Sequence, residues 1–196
     1  MLAELIEKFA DRVELPIDVQ EVADAITDLG FQDEVRFYDV KADSSKIRGV
    51  FDQFTYRPGV YAEPVLVTLI PYNSNDPVEW QRVVCCKEMM HIFDSDLERT
   101  DTPDEIPDFL DKLLGPLSTD DFGLADFMAA RDKVAMYQCL PFLMPKAALE
   151  VARSAVDSGQ KSASEVAEWA KLPERLVRFM LLKEWDTING ALTGCN

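Results

Sequence analysis

The chain has 196 residues, 47% of them hydrophobic, which is enough for a compact core in one domain or in one domain with a small appendage. Its 36 acidic and 20 basic side chains leave a net charge of −16, which disfavours direct binding of nucleic acid or of anionic membranes. It has no signal-peptide start, no apolar run of about 18 residues and too few cysteines for a disulfide framework, so we expect a cytoplasmic protein with reduced thiols.

Two amphipathic helices are predicted at the start of the chain, on either side of Leu15-Pro16. Apolar residues recur at helical spacing over 2–13 and again over 19–26. Gly30 follows the second run and suits the C-terminal cap of a helix.

Strands are predicted next. Residues 34–40 and 65–70 are rich in β-branched and aromatic residues, and the second run ends at Pro71. A short strand at 49–51 and a turn at 56–61 are expected between them. The predicted sheet is antiparallel, and its register cannot be obtained from the pattern.

A helix is predicted over 78–93, because this stretch has apolar residues in helical phase and no helix breaker. Residues 94–126 combine many acidic residues with apolar residues at helical spacing, which predicts a solvated helix and loops. The chain from Gly123 onward is expected to be helical, with a capping box at 162–165 and Pro173 in the first turn of the last long helix. Its breaks are expected at Pro141, Pro145 and 157–159.

The stretch from Lys87 to His91 reads Lys-Glu-Met-Met-His and resembles the zinc-peptidase pattern H-E-x-x-H with its first histidine replaced by lysine. In the intact pattern two histidines on one helix face bind zinc, and the glutamate is the general base. Glu88 is therefore a candidate base and His91 a candidate metal ligand. Lys87 carries an ammonium with an ordinary pKa of about 10.4, which repels a divalent cation. His91 is the only histidine, so no other imidazole can replace the missing ligand.

Together these segments resemble the ImmA/IrrE family of metallopeptidases. The residues that carry the resemblance are 15–23, the asparagine loop and helix lead-in at 73–88, and Phe142-Leu143-Met144-Pro145, which is similar to the family's Leu-Leu-Met-Pro. Counting back along that last helix places Asp132 and Ala135 where the family has a ligand glutamate followed by alanine.

The resemblance implies an α+β, zincin-like fold with a short sheet, an active-site-type helix and a helical C-terminal part. We expect a domain at 1–145 and a helical extension at 146–196 packed on it. The resemblance also implies that Glu88 is the general base, that His91 is a zinc ligand and that Asp132 is a carboxylate ligand. It departs from the family at Lys87, which leaves two protein ligands where catalytic zinc usually has three.

Several interpretations of these residues stay open at this level. Lys87 is expected to form an ion pair with Asp132 where zinc otherwise sits, although a buried lysine can also bind metal as a neutral amine. Glu88, His91 and Asp94 form a second possible metal set, three residues apart on one helix face. Cys86 is a possible thiolate ligand, but packing is favoured for it. Residues 164–178 resemble a DNA-reading helix-turn-helix, and packing is favoured there too.

Three functional hypotheses follow. The preferred one is a non-catalytic pseudo-metallopeptidase that binds no cofactor and acts through a protein partner, in the regulatory or phage- and mobile-element-associated setting that the resemblance suggests. The second is an active zinc-dependent endopeptidase that cleaves a regulatory protein. The third is an acidic decoy that presents carboxylates to a DNA-binding protein.

Overall fold

The computed structural model describes residues 1–31, 33–43, 48–94 and 124–194. These residues form a small three-stranded sheet with helices before and after it in the chain, so the predicted α+β class is confirmed. The elements in chain order are α1 (Leu2–Phe9), α2 (Val19–Asp28), β1 (Asp33–Val40), β2 (Asp52–Tyr56), β3 (Val65–Asn73), α3 (Val78–Met89), a 3-10 turn (Met90–Phe93), α4 (Leu124–Gln138), α5 (Leu140–Leu143), α6 (Lys146–Asp157), α7 (Ala163–Ala170), α8 (Glu174–Met180) and α9 (Glu184–Thr193).

The two predicted N-terminal helices are present. The side chain of Asp18 caps α2 and forms a capping box with Glu21, which satisfies backbone N–H groups that have no partner within the helix. Gly30 follows α2 with a φ of 97°, a conformation that glycine adopts without a steric penalty. The first helix ends at Phe9, short of the predicted Val13.

The sheet has the strand order β1-β3-β2 and is mixed, not antiparallel as predicted. The central strand β3 runs antiparallel to β2, with Phe54 opposite Val67, but parallel to β1, with Phe37 opposite Ile70. The antiparallel prediction is therefore correct for one pair only. Alternation of apolar residues specifies which side chains share a face, but the same alternation serves either strand direction.

Two strand boundaries also differ from the prediction. The short middle strand begins at Asp52, after the predicted residues 49–51, of which Gly49 makes an isolated bridge to Tyr72. The central strand continues through Pro71 to Asn73. Pro71 lies beyond the last residue pair that joins β3 to β2, so the ladder between these strands does not need a backbone N–H from it. Its carbonyl still accepts a hydrogen bond from the N–H of Val50.

The helix predicted over 78–93 is confirmed as far as Met89, after which the chain tightens into the 3-10 turn. Every residue from Val83 to Met89 is buried, because α3 packs against α2, β3 and α4. A helix that is covered on several sides has no solvent-exposed face for polar side chains. The polar side chains at its C-terminal end must therefore form hydrogen bonds or ion pairs inside the protein.

The C-terminal part is helical, as predicted. Pro141 lies in the first turn of α5, Pro145 precedes α6, and Ser162 and Glu165 form the predicted capping box of α7. Pro173 precedes α8, which ends at Met180, so the predicted last long helix is two shorter ones.

One buried apolar cluster includes Phe142 and Leu149, on either side of the expected boundary at residue 145, so the C-terminal helices pack on the rest of the protein. No helix in the described ranges is long and apolar enough to cross a bilayer. The helix predicted within 94–126 falls almost entirely on residues 95–123, outside the described part.

Candidate functional site

The residues singled out in the sequence converge between α3 and α4. Lys87 and Glu88 lie in the last turn of α3, His91 lies in the 3-10 turn that continues it, and Asp132 lies on α4, which packs against α3. Ligand atoms of Glu88, His91 and Asp132 all lie within 4.8 Å of one another. The three positions that the resemblance implied are therefore close enough to act on one atom.

Lys87 lies in the middle of this group. Its Nζ is 2.9 Å from Oε1 of Glu88 and also forms an ion pair with Oδ1 of Asp132, as expected from the sequence. Burial lowers the pKa of Lys87, but the carboxylates of Glu88 and Asp132 outweigh burial and hold the pKa above its ordinary value. The raised pKa keeps the lysine an ammonium ion, which opposes its interpretation as a neutral metal ligand.

Both ring nitrogens of His91 face carboxylates. Its Nδ1 is 2.6 Å from Oδ2 of Asp94, and its Nε2 is 3.6 Å from Oδ1 of Asp132 and 3.8 Å from Oε2 of Glu88. Burial lowers the pKa of His91, but the carboxylates of Asp132, Asp94 and Glu88 raise it by more, to about 9. The ring is therefore an imidazolium at neutral pH, with a proton on each nitrogen.

Two carboxylates complete the network. Burial raises the pKa of Asp132, but the neighbouring His91 and Lys87 lower it by more, to about 2. Asp94 accepts hydrogen bonds from His91 and Arg131, which together hold its pKa below the ordinary value against the effect of burial. Three basic side chains thus face three carboxylic ones: Lys87, His91 and Arg131 against Glu88, Asp94 and Asp132.

The residues present do not fit a zinc ion. Zinc needs deprotonated ligands and, in catalytic sites, three of them from the protein. Here an ammonium contacts two of the three candidate ligands, and the third is a protonated imidazole. A divalent ion would have to displace Lys87 and remove the proton from Nε2 of His91. The ammonium and the imidazolium already supply the positive charge that the ion would bring to the carboxylates.

The second possible metal set does not converge on one point. Asp94 contacts Nδ1 of His91, whereas Glu88 approaches Nε2, on the opposite edge of the ring. Donors on opposite edges of an imidazole cannot bind a single ion together with it. The equal spacing of the three residues would place them on one side of a continuous helix, but the helical turn ends at Phe93 and the backbone of Asp94 is extended, with φ −73° and ψ 144°.

The two cysteines of α3 are packing residues, as favoured from the sequence. Cys86 is fully buried, its Sγ donates to the carbonyl of Cys139 at 3.7 Å, and burial raises the pKa of its thiol. Burial also raises the pKa of Cys85 to about 12. Neither thiol is a thiolate at neutral pH, so neither replaces the missing ligand.

The chain segment before β2 covers one side of the site, which the sequence pattern did not indicate. A Cβ atom on Gly49 would lie 2.2 Å from Cγ1 of Val84 and 3.1 Å from Oε1 of Glu88, so the backbone passes directly over α3. The ring of Phe51 lies 5.8 Å from that of His91. A glycine inside a predicted strand was the available indication of a close backbone approach.

The segment that resembles a helix-turn-helix is part of the core. Val166, Ala167, Leu176 and Val177 are buried, so one face of α7 and one face of α8 pack inward. Arg178 on the outer face forms an ion pair with Glu174 at 2.5 Å. The packing interpretation agrees with this burial.

Comparisons of the chain with protein-family models, with curated proteins and with solved structures found no match. The resemblance to the ImmA/IrrE family therefore rests on the order and spacing of the motifs and stays a prediction.

Proposed function

We propose that this chain is a non-catalytic relative of the ImmA/IrrE metallopeptidases, which keeps a zincin-like scaffold and acts through protein interaction. The observation that carries the proposal is the ammonium of Lys87, paired with both Glu88 and Asp132. A catalytic metal would use these carboxylates as general base and ligand. Here they neutralise a side chain of the protein itself.

The surroundings of Glu88 also oppose a role in catalysis. A general base must reach a water molecule and exchange protons with it. The side chain of Glu88 is only 5% exposed, one of its oxygens faces Lys87, and the backbone at Gly49 lies above it. These contacts hold the carboxylate in place and shield it from solvent, which suits a structural ion pair.

A net charge of −16 favours a basic protein as the partner, because opposite charge accelerates encounter and repels acidic competitors. A regulatory or mobile-element setting remains what the resemblance implies. The acidic-decoy hypothesis has only this charge in its favour.

The second candidate function is an active zinc-dependent endopeptidase. It is favoured by the clustering of Glu88, His91 and Asp132 within 4.8 Å, which is close enough for one ion. It requires Lys87 to leave the cluster when metal or substrate arrives.

Zinc binding by the parent and by Lys87→His distinguishes the two functions. We expect the parent, purified without an affinity tag, to carry no zinc, and the variant to bind about one zinc per chain, because it restores an H-E-x-x-H pattern with two histidines and a carboxylate as ligands. Elemental analysis and titration calorimetry give the stoichiometry. The matched control is Lys87→His with His91→Ala, which should lose the zinc again. Stoichiometric zinc in the parent, lost on His91→Ala, would refute the non-catalytic proposal and support the endopeptidase.

A further inference from the structure

Two arginines contact one tryptophan on the face of the protein that joins α3 to α8. The guanidinium carbon of Arg48 lies 5.1 Å from the ring centroid of Trp80, and that of Arg175 lies 5.0 Å from it. The three residues come from separate parts of the chain: the segment before β2, the first turn of α3, and α8. Both guanidinium carbons lie close to the same ring, so they are at most about 10 Å apart.

Neither guanidinium has a carboxylate partner in the described ranges, although the chain has 36 acidic side chains. Arg178, one turn farther along α8, shows the contrast, because Glu174 holds it at 2.5 Å. A cation–π contact uses the ring face and leaves N–H donors of the guanidinium for an oxygen acceptor. Arg48 and Arg175 are both exposed, so an acceptor from solution can reach them.

The framework that carries the two arginines is fixed by other contacts. The carbonyl of Arg48 accepts a hydrogen bond of 2.9 Å from the N–H of Asn73 at the end of β3. The side chain of Arg82, on α3, donates to the carbonyl of Lys171, between α7 and α8, at 3.2 Å. These bonds tie the segment before β2 to the sheet, and α3 to the C-terminal helices, so the backbone that carries the two arginines is held in place before any ligand arrives.

We propose that Arg48 and Arg175, supported by Trp80, form a binding site for a phosphate monoester group. Such a group has three acceptor oxygens and up to two negative charges, which match two guanidinium forks better than a single carboxylate does. The net charge of −16 repels a long polyanion, so one phosphate group is favoured over a nucleic-acid backbone. This site is separate from Lys87 and does not depend on the proposed function.

Phosphate titrations followed by NMR of the Trp80 indole N–H test the proposal, with inorganic phosphate, phosphoserine and a short phosphoserine peptide as probes. We expect saturable binding that Arg48→Gln and Arg175→Gln each weaken about tenfold or more, the loss expected for one charge-assisted contact. Tighter binding of the peptide than of inorganic phosphate would identify a phosphorylated protein as the source of the group. Equal binding would identify a free phosphate compound.

The control Arg178→Gln removes the same charge from the same helix but lies outside the stack. If it weakened binding as much as Arg175→Gln, or if phosphate failed to saturate, the proposal would be wrong. The double variant Arg48→Lys with Arg175→Lys keeps both positive charges but removes the planar guanidinium groups that can form two hydrogen bonds to one phosphate. Parent-like affinity in this double variant would also overturn the assignment. Thermal melts of every variant confirm that each is folded before its affinity is compared.

Discussion

Replacement of Lys87 by methionine removes the ammonium while keeping an unbranched side chain of similar length. The carboxylates of Glu88 and Asp132 then share a buried space with one cation fewer. Loss of one partner from a buried ion pair costs about 3–5 kcal/mol of unfolding free energy. The structure favours the lower limit, about 3 kcal/mol, because Nε2 of His91 remains 3.6 Å from Asp132 and the side chain of Lys87 is 11% exposed.

Urea denaturation monitored by circular dichroism measures this change, and a loss of about 3 kcal/mol corresponds to a fall in melting temperature of about 6–12 °C for a chain of this size. The control is Arg178→Met, which breaks an exposed pair with Glu174 and should cost about 0.5 kcal/mol or less. Similar losses in the two variants, or a loss below about 1 kcal/mol for Lys87→Met, would refute the argument that the ammonium neutralises buried carboxylates.

The pH dependence of the same difference gives an independent check. The pKa of Asp132 is about 2 in the folded protein against 3.8 as its ordinary value, so its stabilising contribution is present above pH 3.8 and is lost as the pH falls through about 2. Methionine at position 87 removes part of the cause of that shift. The stability difference between parent and variant should therefore shrink in this acid range, and a constant difference would contradict the assignment.

Two further predictions concern neighbouring residues. The single histidine should titrate by NMR with a pKa near 9, so the stability that His91 contributes is present below 6.5 and is lost as the pH rises through about 9; an ordinary titration near 6.5 would contradict the network. Gly49→Ala should lower the unfolding free energy by about 1–3 kcal/mol, because its Cβ would meet Val84 at 2.2 Å. Gly59→Ala, whose Cβ has no neighbour nearer than 3.9 Å, is the control, and equal melting temperatures for the two variants would contradict the close approach.

The sequence predicted those parts of the fold that depend on residues close together in the chain. The capping box of Ser162 and Glu165 and the helix carrying Glu88 were found from spacing alone. The parallel pairing of β1 with β3 was missed, because strand direction depends on tertiary packing that alternation does not encode. The 3-10 turn at His91 was missed for a similar reason, since helical periodicity does not separate the last turn of an α-helix from a tighter one.

The sequence predicted which residues form the candidate site but not all of their contacts. The motif and the resemblance led to Lys87, Glu88, His91 and Asp132, and the expected ion pair between the first and last of these is present. The spacing placed Asp94 near His91 as a possible metal ligand, but its ion pair with Arg131 was not predicted, because an acidic residue beside an acidic stretch gives no sign of an inward orientation. Which acids turn inward is decided by the packing of α4 on α3, and that packing is not a local property of the chain.

The strand order of the sheet has a consequence for folding during synthesis. The first two strands to leave the ribosome, β1 and β2, do not pair with each other, and both wait for β3, which lies between them. Pairing of Asp33 with Leu66 requires closure of a long loop, whose entropic cost precedes the first hydrogen bond between the strands. The sheet should therefore form later than the helices. Until β3 emerges, Phe37 and Phe54 lack their sheet neighbours, and unpaired strands of this kind expose a nascent chain to aggregation.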